Sequence, residues 1–185
     1  MKNPYDIINN LSPEDAFAIL RQLAAHDEKL AAEIANMALA YLADVDAEEI
    51  TAGLLSDLES LTPEEVWDRA GNTRDGYVET GEAAEEMIQE MLDPYLEEMR
   101  KYHKTGLEWG AQQTCMGLLM GFYLFEYESK TEFKDWAADA PLAFADEVLT
   151  IWKEGAAGME ERQQVREFIE EDLPRWARTL LTSFG

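Results

Sequence analysis

The stretch Trp67-Asp68-Arg69-Ala70-Gly71-Asn72-Thr73-Arg74-Asp75-Gly76-Tyr77 gathers four side chains suited to recognition. Arg69 and Arg74 offer planar forks for a carboxylate, and Trp67 and Tyr77 offer aromatic anchors. These residue types dominate binding hot spots, so Trp67, Arg69, Arg74 and Tyr77 are the candidate binding residues. The competing role for both arginines is structural. In so acidic a chain each can pair with an Asp or Glu and pin this loop between two helices. A secondary basic patch, Arg100, Lys101, His103 and Lys104, closes a segment whose first half is rich in Glu. Its cations complement the negative end of a helix dipole, with an anion or acidic-peptide contact as the alternative.

Other chemistries find little material. A carboxylate-bridged metal pair in a helical bundle needs Glu-x-x-His pairs on facing helices. Three residues before His26 and His103 stand Leu23 and Arg100, so no metal site is expected. The single cysteine, Cys115, excludes an internal disulfide and a cysteine-based zinc cluster. It lies in the apolar run Cys115–Phe125, where a thiol reads as a small buried hydrophobe. No serine occupies a Gly-x-Ser-x-Gly elbow, and Gly71 and Gly76 lack the Lys-Ser/Thr of a phosphate loop. A non-catalytic protein without a cofactor is the expectation.

The elements that must position these residues read as helices throughout. Ser12-Pro13-Glu14-Asp15 and Thr62-Pro63-Glu64-Glu65 each supply a capping hydroxyl, a first-turn proline and carboxylates at the positive dipole end. Helices are also expected after Asp27, with Leu30, Ile34, Met37, Tyr41 and Leu42 on one face, and after Asp46, with Ile50, Leu54 and Leu58. Gly71 and Gly106 read as helix ends, and Pro94 as a kink or break. Gly117 and Gly121, inside the most apolar helix, would admit a neighbouring backbone closely. No segment alternates with period two, so the fold class is all-α with no sheet. The recurrence of Leu-Ser-Pro-Glu-Asp at 11–15 as Leu-Thr-Pro-Glu-Glu at 61–65 allows two architectures. One is a helical bundle, the other an irregular stack of antiparallel helix pairs, or helical repeat. Residues 1–185 form a single domain, or two lobes, 1–71 and 80–185, joined by the 72–79 loop.

Composition bounds the function. Hydrophobic residues at 46% exclude global disorder, while 39 acidic against 15 basic residues give a net charge of −24. That field repels nucleic-acid backbones and anionic membranes, so neither is an expected direct partner. The longest apolar run falls far short of the ~20 residues that span a bilayer. The N-terminus, Met-Lys-Asn-Pro-Tyr-Asp, lacks a signal core, and a cytoplasmic location follows as an expectation.

Trp67-Asp68-Arg69-Ala70-Gly71, Thr73-Arg74-x-Gly76-Tyr77-Val78-Glu79 and Glu82-Ala83-Ala84 resemble a pattern in an uncharacterised group of archaeal and bacterial helical proteins. Asp93-Pro94-Tyr95-Leu96-Glu97-Glu98-Met99 and Glu132-Phe133-Lys134-Asp135-Trp136-Ala137 continue it, over roughly residues 60–155. Similar helical regions follow SWIM-type zinc fingers in larger chains. This chain lacks the Cys and His pairs of the finger, so the resemblance implies a helical domain and neither zinc nor nucleic acid. The leading functional expectation is a protein- or peptide-binding module with a protein partner. Its alternatives are an acidic regulatory protein that mimics DNA and a cytoplasmic enzyme-maturation chaperone.

Overall fold

The computed structural model describes residues 3–74, 76–155 and 158–184, nearly all of them in helices or short turns. The capping residues set the helix starts. Asp15 N–H donates to the Ser12 hydroxyl at 3.1 Å, and Thr62 and Glu65 cap each other reciprocally. Asp27 accepts from Lys29 N–H at 2.9 Å and Asp46 from Glu48 N–H at 2.8 Å. Each bond satisfies a backbone donor that the first helical turn leaves without a partner.

The chain divides into two units, Met1–Asp44 and Val45–Gly185. The division falls between Asp44 and Val45, so segment 72–79 lies inside the second unit. The first unit carries α1 (Pro4–Ile8), α2 (Pro13–His26) and α3 (Glu28–Leu42). Helices α2 and α3 meet at Asp27 and touch each other, yet neither contains a buried residue. Of the apolar face expected on α3, Met37 is 67% exposed and Tyr41 83%.

The second unit comprises α4 (Ala47–Ser60), α5 (Pro63–Arg69), β1 (Gly71–Thr73), β2 (Gly76–Val78), α6 (Thr80–Thr105), α7 (Glu108–Tyr127), a 3-10 turn (Glu132–Trp136), α8 (Ala140–Glu154), α9 (Met159–Asp172) and α10 (Ala177–Phe184). Helix α7 is its centre and packs against α4, α6, α8 and α9. Its Cys115, Leu118, Leu119, Phe122 and Phe125 are fully buried, as an all-round apolar helix requires. A Cβ at Gly117 would sit 2.6 Å from Ile50 Cβ and 2.7 Å from the Ala47 carbonyl oxygen. One at Gly121 would sit 2.9 Å from Leu54 Cδ2. The two glycines therefore let α4 lie against α7, and Thr51 Oγ1 donates to Gly117 O at 3.1 Å. Partners so distant in sequence make a bundle around one helix, since a stack of repeats contacts only its neighbours.

One expectation needs correction and another is narrowed. The all-α reading without a sheet missed a hairpin: β1 and β2 pair antiparallel, Gly71 with Val78, Asn72 with Tyr77 and Thr73 with Gly76. Three-residue strands are too short for alternation to show. Gly76 pairs with Thr73 inside the ladder, so Asp75-Gly76 is not the two-residue loop that marks such hairpins. Gly71 at φ 102° and Gly76 at φ 141° occupy conformations that favour glycine. The narrowed one concerns Pro94, expected to kink or divide α6: it does not divide the helix, which is continuous from Thr80 to Thr105. Pro94 is exposed, so water can reach the carbonyl that loses its N–H partner, while buried Leu92 and Leu96 hold the helix on the core.

Candidate functional site: a tryptophan cleft with an acidic rim

Helix α5 is positioned at its start by Thr62 and Glu65 and along its length by fully buried Val66. Hydrogen bonds from the Thr62 hydroxyl and backbone hold the Glu65 carboxyl below its ordinary range. With Val66 pointing into the core, the next side chain, Trp67, turns outward and stays 54% exposed.

The 3-10 turn is fixed independently. Phe133 is fully buried, and Lys134 Nζ donates to Glu126 O at 2.6 Å and Ser129 O at 3.1 Å. A lysine here satisfies carbonyls left without partners at the end of α7. This anchoring sets half-buried Trp136 against Trp67, edge to face, with ring centroids 5.9 Å apart and planes at 89°. Between α5 and the turn lies an open cleft of about 430 Å³, lined by Pro63, Glu64, Trp67, Glu132, Asp135 and Trp136. Two indoles and three exposed carboxylates line one space. Indole faces attract cations through the ring quadrupole, and carboxylates accept charge-assisted hydrogen bonds from ammonium or guanidinium groups.

The four residues expected together do not form one site. Trp67 lines the cleft, whereas Arg69 Nη1 reaches away to Glu90 Oε1 on α6 at 2.8 Å. That exposed pair ties α5 to α6, the structural role weighed for it above. Arg74 and Tyr77 belong to the hairpin and are exposed there, Tyr77 by 63%, and neither lines the cleft. Glu64, Glu132, Asp135 and Trp136 were missed as site residues. Nothing in a lone sequence brings the 3-10 turn to α5, although an acidic pair flanking an aromatic was visible in Glu132–Trp136.

The basic patch also changes character. His103 is turned inward, its side chain only 11% exposed, with Nδ1 3.0 Å from Glu108 Oε2. Its ring packs so closely on Gly155 that no side chain fits there. Lys101 pairs with Glu98 at 2.9 Å on its own helix, and Arg100 and Lys104 remain exposed at the α6 end. Gly106, at φ 71°, closes that helix as expected. The four residues therefore do not present one solvent-facing cationic surface.

No family model, curated protein or solved structure matches this chain. Among the described residues, no three His, Cys, Asp or Glu side chains are grouped to hold a metal ion. No helix of the described residues is long and apolar enough to cross a membrane.

Proposed function

We propose that this protein is a non-catalytic protein- or peptide-binding module whose tryptophan cleft takes a basic segment of its partner. The observation that carries this reading is the convergence of Trp67 and Trp136 with Glu64, Glu132 and Asp135 on one open cleft. A lysine or arginine laid on an indole face contributes about 0.5–2 kcal/mol by cation–π attraction. The carboxylates orient the charged end and exclude acidic sequences, which face repulsion from a chain of net charge −24. The same field steers basic partners toward the surface and speeds encounter at low salt.

Calorimetric titration with short lysine- and arginine-containing peptides tests the reading. Binding that weakens as salt rises, and that falls at least tenfold in Trp67→Ala and in Trp136→Ala, is expected. Equal affinity for peptides with glutamate in place of the basic residues, or binding indifferent to both tryptophans, would rule the cleft out.

A further inference from the structure

The first unit poses a separate question, because none of its described residues is buried. Helices α2 and α3 bury no side chain, although the unit spans Met1–Asp44. Below about 40 residues a fold usually needs help from disulfides, metals or association, and this unit of 44 sits at that margin. This unit contains no cysteine, and no metal-binding group occurs among the described residues. Of these three, association is the one left.

We propose that the protein self-associates through the apolar faces of α2 and α3, one copy against a second copy. On α3, Leu30, Ile34, Met37 and Tyr41 follow each other at spacings of four, three and four residues. Ala16, Leu20 and Leu23 repeat the four-three spacing on α2. This is the seam of a coiled coil, whose knobs fit the holes of another helix of the same kind. Helices of 14 and 15 residues give two stripes of nearly equal length. Pairing about a two-fold axis sets the same patch on both copies, which such matched stripes allow.

Area and charge both favour a second copy. Phe17 is 56% exposed, Leu20 and Leu23 44% each, Met37 67% and Tyr41 83%. Taking roughly 200 Å² for a whole large side chain, the exposed large apolar residues of α2 and α3 leave on the order of 700 Å² of apolar surface in water. A standard interface takes roughly 800 Å² from each partner. The first 44 residues hold seven carboxylates against three Lys and Arg, so little of the −24 lies there. Repulsion between two copies is weakest at this unit.

Sedimentation velocity on the full chain across micromolar concentrations reads the outcome directly. A species of twice 21.0 kDa is expected. Leu20→Glu with Leu23→Glu should raise the dissociation constant at least 100-fold. Gln22→Glu with Ala25→Glu adds the same charge on the opposite side of α2 and should leave the dimer intact. A monomer at every concentration overturns the proposal, as does a dimer that survives the double leucine change. Monomeric wild type whose melting point drops in the leucine variant would assign the face to cover by the same chain.

Discussion

The Tyr95 hydroxyl donates to Asp57 Oδ2 at 2.9 Å, joining α6 to α4 beside the space that Gly53 leaves open. Burial first, and then this bond, raise the tyrosine hydroxyl to about 12. Tyr102 is likewise raised to about 12, by burial and then by the Glu98 charge. An unfolded tyrosine ionises near its ordinary value of about 10. Between pH 10 and 12 the unfolded chain releases protons that the folded chain keeps. The stabilisation is complete below pH 10 and disappears as pH climbs toward 12. Denaturant midpoints measured from pH 9 to 12 should therefore fall, less steeply in Tyr95→Phe. At neutral pH that variant should cost about 1 kcal/mol for the lost hydrogen bond.

Gly117→Ala should destabilise the protein by about 1–2 kcal/mol in urea unfolding. The added methyl meets the Ala47 carbonyl oxygen, a backbone atom that cannot rotate away, and overpacking outweighs the gain in helix propensity. Gly81→Ala provides the contrast. Its nearest neighbour would be Trp136 O at 3.8 Å, so this change should stabilise by about 0.5 kcal/mol.

Cys115 should resist thiol reagents in the native protein. It is fully buried, and burial pushes its thiol up, away from the reactive thiolate. Labelling with a disulfide reagent should be negligible without denaturant and complete once the chain unfolds. Rapid native labelling would show that α7 opens locally.

Arg69→Ala should change stability by less than about 1 kcal/mol, because its pair with Glu90 is 40% and 56% exposed. The variant should retain peptide affinity within about twofold, unlike Trp136→Ala. A large loss of binding in Arg69→Ala would move the site toward the hairpin.

Much of the helix pattern in both units was readable from the chain because local rules govern it. Ser12, Asp27, Asp46 and Thr62 cap helices where their types and neighbours indicated, since a capping bond spans three residues. Apolar α7 belonged at the centre, and Gly117 and Gly121 marked a close approach without naming α4 as the neighbour. The candidate site was legible only at Trp67. Its other half is brought in by Lys134 and Phe133, through contacts that no spacing encodes. The hairpin escaped because three-residue strands carry too little pattern. Met37 and Tyr41 carry a clear apolar period, but periodicity reveals a face and not what covers it.

The bond from Thr51 to Gly117 joins positions 66 residues apart. During synthesis at about 5–20 residues per second, α4 is therefore made roughly 3–13 seconds before the glycine surface it lies against. For that interval Ile50, Leu54 and Leu58 have no α7 to bury them. The acidic residues Glu48, Glu49, Asp57 and Glu59 then serve the nascent chain, keeping a half-made bundle dispersed until its central helix emerges.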